Sequence, residues 1–282
     1  MSIAAPETTT LAPGVHHGVA FDDYCRVDAI NASTLKLFAE PPAKARHKML
    51  HPDDPTEALN VGEATHKAIL EPAAFERDYA AAPRIDRRYK EGKAAWERFK
   101  TENADKIVLT AEEYEQASAM AAAARQHALA RELLLGKGAN EVTLIWRDMD
   151  DELCKARIDR LAIHRGWPVI VDIKTTRDAS PDGFAREIVS FGYHVQAAHY
   201  MAGIRAIKPA DYRWLFIAIE KEPPHLAAVY EMEDRALREG MARRDAYMST
   251  LIECRKTGLW PGYGATIQTI GLPNWSYRFT TE

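Results

Sequence analysis

The chain has 282 residues, 46% of them hydrophobic and 28% charged, with a formal net charge of −4. That length can bury a substantial core, as one large domain or as a core with a helical elaboration. No run approaches the roughly 18 uninterrupted apolar residues of a membrane span, and the weakly acidic balance does not advertise nucleic-acid binding, although a local basic path would suffice for it. The three cysteines, Cys25, Cys154 and Cys254, are too far apart in sequence for a disulfide framework, a zinc site or an iron–sulfur site. They read as buried small hydrophobes. The opening Met1-Ser2-Ile3-Ala4 lacks the basic region of a secretory signal, which favours the cytoplasm.

The first 30 residues are polar and punctuated by Pro and Gly. Asn31-Ala32-Ser33 then offers cap residues for a short helix through Phe38, which Pro41-Pro42 ends. A proline- and acid-rich link over 51–57 leads to a helical stripe of Val61, Ala64, Thr65, Ala68 and Ile69, with His66 on or beside its edge and Pro72 closing the segment. Helices are expected over 87–100 and 110–135, the second opening with a capping box, Thr110 to Glu113, and ended by Gly136-Lys137-Gly138. No Gly-Lys-Ser/Thr follows, which excludes a Walker phosphate loop.

The period then changes. Residues 141–146, 153–163 and 168–173 read as three strands joined by short turns at 149–151 and 164–166, an antiparallel meander. A loop through Pro181-Asp182-Gly183 precedes an amphipathic helix over 191–204. Residues 212–219 form a strand, 227–231 its hairpin partner across Pro223-Pro224, and 233–257 a long charged helix. The division expected is an N-terminal arm with a short helix over 1–60, a helical part over 61–138 packed on the core, and the core itself over 139–282. Residues 61–282 together should make one compact catalytic domain.

The chemistry concentrates at Asp172-Ile173-Lys174, which ends the apolar run over 168–171. Alternation puts Asp172 and Lys174 on one face of the strand with Ile173 behind them. Asp159, on the preceding strand, supplies a second carboxylate. Mg²⁺ or Mn²⁺ takes hard oxygen ligands and often keeps its waters beside one or two protein carboxylates, so Asp159, Asp172 and the Ile173 backbone carbonyl suit such an ion. Lys174 is placed to orient or deprotonate the attacking water and to offset phosphate charge. Asp-x-Lys alone is weak, because surface strands produce it often. His66, as an imidazole ligand or substrate contact, and Glu141, at the start of the first strand, strengthen the reading. Tyr193, Gln196 and Tyr200 share a helix face and can orient Lys174, the water or a DNA phosphate; simple helix packing is the alternative. Arg84, Arg87, Arg88, Lys90 and Lys93 form the densest basic stretch, either a solvated face or a phosphate-contacting one.

Several segments together resemble the exonuclease VIII (RecE-like) branch of the PD-(D/E)XK nuclease superfamily. They are Gly62-Glu63-Ala64-Thr65-His66 with Leu70-Glu71-Pro72, then Cys154-Lys155-Ala156-Arg157-Ile158-Asp159-Arg160, Val171-Asp172-Ile173-Lys174-Thr175-Thr176 and the stretch from Tyr193 to Tyr200. Ser33-Thr34-Leu35-Lys36 through Pro41-Pro42 looks like that family's opening, and the resemblance runs from about residue 24 to 275. Ile158-Asp159 departs from the usual Pro-Asp pair, but isoleucine keeps the extended backbone. The resemblance implies a restriction-endonuclease-like α/β core, a central mixed sheet flanked by helices with an N-terminal helical elaboration. It also implies Mg²⁺-dependent hydrolysis of linear double-stranded DNA from its ends, degrading the 5′ strand. His66, Asp159 and Asp172 are then metal-centre residues and Lys174 the catalytic lysine, while Glu141, Gln196 and Tyr200 match the upstream acidic and helical motifs. Members of that family serve phage- or prophage-encoded recombination, can partner a single-strand annealing protein and can form a ring around DNA.

Other classes are a related endonuclease or RNA-directed nuclease, and a catalytically idle DNA-binding protein of the same fold. A small-molecule hydrolase lacks support, since neither a Gly-x-Ser-x-Gly elbow nor a His-Glu-x-x-His motif is present.

Overall fold

In a computed structural model, which describes residues 9–52, 57–273 and 276–277, the meander expected over 141–173 becomes the centre of a six-stranded sheet. The chain begins with β1 (Gly14–His16), α1 (Phe21–Arg26), α2 (Ala32–Lys36), α3 (Pro42–Leu50), α4 (Glu57–Leu70), α5 (Pro72–Asp78) and β2 (Tyr79–Ala81). It continues through α6 (Lys90–Glu102), β3 (Ile107–Leu109), α7 (Ala111–Gln126), α8 (Ala128–Leu135), β4 (Gly138–Arg147), β5 (Leu153–His164) and β6 (Trp167–Thr176). Then come α9 (Pro181–Ser190), α10 (Tyr193–Ile207), β7 (Arg213–Glu220), β8 (Ala227–Glu231) and α11 (Asp234–Thr257).

The sheet runs β1-β4-β5-β6-β7-β8, and β2 pairs with β3 in a separate parallel ribbon. Every neighbouring pair in the large sheet is antiparallel except β6 and β7, which α9 and α10 connect as a parallel crossover. The fold is thus mixed α/β, with helices on both faces. One face buries Leu35, Trp146, Ile158, Phe184, Met201, Phe216 and Leu251 against α2, α9, α10 and α11. The other buries Ile69, Phe75, Met120, Leu133, Val171 and Ile217 against α4, α5, α7 and α8.

Local chemistry explains the element ends. Asn31 accepts the Thr34 N–H at the start of α2, and the Thr110/Glu113 capping box closes reciprocally on α7. Pro42 and Pro72 end nothing beyond the segment before them; each stands in the first turn of a new helix, where a missing N–H costs nothing.

Three expectations need correction. The helix over 110–135 is two, because His127 leaves the helical backbone and its Nδ1 caps α8 by accepting the Ala130 N–H. The loop through Pro181-Asp182-Gly183 is the first turn of α9, with Ser180 accepting the Gly183 N–H. Cys154 and Cys254 are buried, but Cys25 is exposed. Most of the link over 51–57 lies outside the described residues.

Candidate active site at a strand fork

β5 is long enough to change partners. Its pairing with β6 ends at Arg160 opposite Val171, and the two strands diverge beyond that point. At its other end Ile30 takes the place that β6 leaves: Ile30 N–H donates to the Leu153 carbonyl, and Lys155 N–H to the Ile30 carbonyl, each at 2.8 Å. Asp159 and Asp172 sit in the mouth of this fork, at the first positions past the last pair.

The sheet changes phase at the same row. Val142, Leu144 and Trp146 face the α10 side with the usual two-residue period, yet Ala139 faces that side as well. On β5, Cys154, Ala156 and Ile158 face it, then Leu161, while Ala162 belongs to the opposite core. The residues at the slip are Glu141, whose φ is +53°, and Asp159, and they are missing from an otherwise continuous β4–β5 ladder. A left-handed backbone at a non-glycine strand residue costs about 1 kcal/mol or more, and such conformations cluster where a side chain must be re-aimed. Glu141 is therefore inside β4, not at its start.

Five side chains meet here from four elements, β5, α4, β6 and α10. Asp159 Oδ2 accepts the Ile173 N–H at 2.7 Å, and His66 of α4 brings Nδ1 to 3.6 Å from that oxygen. Asp172 Oδ1 accepts from Gln196 Nε2 of α10 at 2.7 Å. Lys174 Nζ stands 2.6 Å from Asp172 Oδ2, so the ammonium is the counter-charge and the one protein partner of that buried oxygen among the described residues. Glu141 is ion-paired with Arg157, which also donates to the Val19 carbonyl at 2.8 Å.

Burial raises the pKa of both carboxyls; at Asp172 the neighbouring Asp159 adds to the rise, while Lys174 opposes it at both. Burial and Asp159 raise Glu141 likewise. For Lys174, burial pulls downward, but Asp172 and Asp159 outweigh it and hold the ammonium charged. His66 is lowered by burial and Lys174, which favours the neutral imidazole a metal ligand requires. Tyr200 stands within electrostatic reach of both aspartates, and burial pushes its phenol well above its ordinary range.

Among the described residues no three His, Cys, Asp or Glu side chains close on one point. The donor chemistry nevertheless fits a hard divalent cation that keeps most of its waters: the buried Asp172 carboxylate, the partly buried Asp159 carboxylate, an imidazole nearby whose neutral form is favoured, and an Asp172 oxygen held only by the Lys174 ammonium.

Tyr193 lies at the site, its ring centroid 4.7 Å from Lys174 Nζ. The five basic residues considered for phosphate contact, Arg84, Arg87, Arg88, Lys90 and Lys93, do not join the cluster. Arg84 is ion-paired with Glu112 and Glu115, Arg88 with Asp86, and Arg87 lies over the Trp96 ring. Arg84 and Arg87 line a separate cleft of about 580 Å³ between the β2–β3 ribbon and α6, with no residue of the acidic cluster in its wall. Lys90 and Lys93 lie on the first turn of α6.

Two residues at the site were not assigned to it from sequence. Arg157, two positions before Asp159 and on its side of the strand, was signalled only by that spacing. Lys36 lies in the Ser33-Thr34-Leu35-Lys36 stretch, but no local pattern ties it to Lys174, and only packing of α2 on α10 brings it to Tyr193.

Comparison with known proteins adds the following. A family described as "PDDEXK-like domain of unknown function (DUF3799)" matches residues 31–272. No curated protein matches the sequence. Among solved structures, a "Putative exonuclease" from Eubacterium rectale is similar with a TM-score of 0.60 at 14% identity, over 92% of this chain and 96% of that one. At that identity the likeness shows the fold alone. A second structure, SSO0001, has a TM-score of 0.33 at 13% identity over 81% of each chain, too low to carry an argument.

Proposed function

This chain belongs to the PDDEXK-like DUF3799 family, and from that membership we propose that it is a metal-dependent exonuclease of the exonuclease VIII type, acting on the ends of linear double-stranded DNA. It degrades the 5′ strand and leaves 3′ single-stranded tails for recombination. The observation that carries the reading is the fork itself: a buried Asp172 and a partly buried Asp159 at its mouth, with Lys174 on Asp172 Oδ2. Surface aspartates need no such arrangement, and a purely structural ion pair needs no second carboxylate whose own ionisation burial opposes. The exonuclease name borne by the Eubacterium rectale protein agrees with this choice over an endonuclease.

Asp159, Asp172, His66 and the Ile173 carbonyl would hold Mg²⁺, with Mn²⁺ able to substitute. Bound there, the ion supplies Lewis acidity to the scissile phosphate and an acidified water. The chain's own residues do the rest. Gln196 holds Asp172 by its Oδ1, so that its other oxygen keeps one orientation. The Ile173 N–H does the same for Asp159. Lys174, kept charged by the aspartates, orients the water and offsets charge that accumulates on the phosphate. Arg157 fixes Glu141 at the rim, and on the α10 side Tyr193 lies against Lys174, with Tyr200 within electrostatic reach of both aspartates. Partnership with a single-strand annealing protein and assembly as a ring around DNA complete the proposal.

The test is digestion of end-labelled linear duplex in Mg²⁺, compared with covalently closed circular duplex and with RNA. Linear DNA should disappear from its ends while the circle and the RNA survive; equal loss of the circle would defeat the end-directed reading. Lys174→Ala (K174A) should fold and bind duplex but lose roughly a hundredfold or more in turnover, the usual weight of one positioned proton-transfer or charge-stabilising group.

A further inference from the structure

Lys36 is the cation left over when the charges around the fork are matched. Lys174 is met by Asp172, Arg157 by Glu141, and Lys155 by the carbonyls of Tyr24, Cys25 and Val27. Among the described residues Lys36 forms no ion pair; Asp172 draws it toward the charged form only from beyond contact distance. Yet its position is closely fixed. Gly192 has φ +63°, and a Cβ built there would come within 2.9 Å of Lys36 Cδ, so the lysine stem runs directly over the bare glycine. Past it, Lys36 Nζ reaches 5.9 Å from the Tyr193 ring centroid, the ring that Lys174 Nζ approaches to 4.7 Å. Two ammoniums thus converge on one aromatic ring at the edge of the acidic cluster. Their repulsion is relieved by an anion lying against both.

We propose that Lys36 is a phosphate-binding residue of this site, taking a phosphate of the nucleic acid next to the one that Lys174 faces. The inference rests on the nuclease reading and adds a substrate contact from the N-terminal segment to it. The half-buried setting favours a phosphate over a protein carboxylate. A diester arrives with its charge and leaves with the product, whereas a permanent carboxylate would close the path to Asp172. Burial and Lys174 together hold the Lys36 pKa down to about 8, in keeping with a pocket short of one negative charge. Both an internal backbone phosphate and a 5′-terminal phosphate supply the same oxyanion, so the experiment separates them.

Binding is read by fluorescence anisotropy on 3′-labelled linear duplexes carrying either a 5′-phosphate or a 5′-hydroxyl, in Ca²⁺ to hold back cleavage and over a range of salt. Lys36→Met should weaken binding roughly tenfold, the worth of one charge-assisted hydrogen bond, and flatten the salt slope by about 0.9, one phosphate contact. Lys36→Arg should stay within about twofold of the unsubstituted protein. A loss on both duplexes identifies an internal phosphate; a loss confined to the 5′-phosphate duplex identifies the terminal one. Unchanged affinity and salt slope in Lys36→Met overturn the proposal. So does equal weakening by methionine and arginine with a matching drop in Tm, which marks a packing role. Lys36→Gln, which keeps a polar head on a shorter stem, carries the comparison if the methionine variant does not fold. Failure of the unsubstituted protein to bind any duplex would instead remove the nuclease reading beneath it.

Discussion

Asp159 and Asp172 work against the fold that holds them. Burial raises both pKa values, so the folded protein binds protons at a pH where the unfolded chain has already released them. Stability contributed by such groups is complete below the ordinary carboxylate range and is lost as pH rises through the raised values. At neutral pH the fork is therefore a site of stored instability, which a divalent cation should relieve. Mg²⁺ should raise Tm at pH 7.5, and the rise should shrink as pH falls toward the raised carboxyl pKa values. Asp159→Asn keeps an acceptor for the Ile173 N–H while removing the repulsion. It should raise the metal-free Tm by roughly 2–4 °C, the effect of about 1 kcal/mol in a chain of this size, and abolish the response to Mg²⁺. Asp172→Asn should not stabilise, because it strips Lys174 of its nearest counter-charge. Differential scanning fluorimetry with and without Mg²⁺ checks both; a lower Tm for Asp159→Asn would refute the sign argued here.

At the scale of elements, the fork depends on the N-terminal segment being tied to β5. Lys155 does this from β5, donating to the carbonyls of Tyr24, Cys25 and Val27 at 2.9, 3.2 and 2.7 Å, with its Nζ 4.8 Å from the Tyr24 ring. Lys155→Met leaves the buried Val27 carbonyl without its donor and should cost roughly 1–3 kcal/mol. Hydrogen exchange should show lost protection over 24–38 before any loss in β7; a uniform change across the chain would contradict this local role. That anchoring was hidden in the sequence, since Lys155 and residues 24–27 share no spacing rule. The meander was legible because alternation and turn residues agreed over β4, β5 and β6, and it carried Asp159, Asp172 and Lys174 with it. The phase slip at Glu141 was not, because side-chain patterning does not report a single left-handed residue. The start of helix α9 is hidden for a related reason: Ser, Pro, Asp and Gly serve a turn and a helix N-terminus equally well. Strands β1, β2 and β3, three residues each, are too short for any period to show. Thr110 gives the opposite case, a cap read correctly from spacing, and Thr110→Ala should lower stability by about 1 kcal/mol in a denaturant titration without touching the fork.

At the scale of the molecule, the sheet divides one chain into two cores that share β5, β6 and β7. Phe216 and Ile217 are neighbours in β7, yet Phe216 packs with Phe184 and Trp214 on the α10 side, and Ile217 packs among the residues of α4 and α7 on the other. The helical part over 61–138 contributes one core and the N-terminal and C-terminal helices the other, so neither can lose its side of the sheet and leave the other intact. We propose on this ground that residues 61–282 unfold as one unit and take the segment from Ile30 to Ala45 with them, because Ile30, Leu35 and Ala45 belong to the α10-side core. Phe216→Ala and Ile217→Ala should each cost about 3 kcal/mol, the usual loss for truncating a buried large side chain. Both should shift a single urea transition to lower midpoint without changing its slope, whether followed by tryptophan fluorescence or by far-ultraviolet circular dichroism. A variant that splits the curve into two steps would show that the faces melt separately. The fork would then be held by one core alone, and the carboxylates on β5 and β6 would need no support from α4.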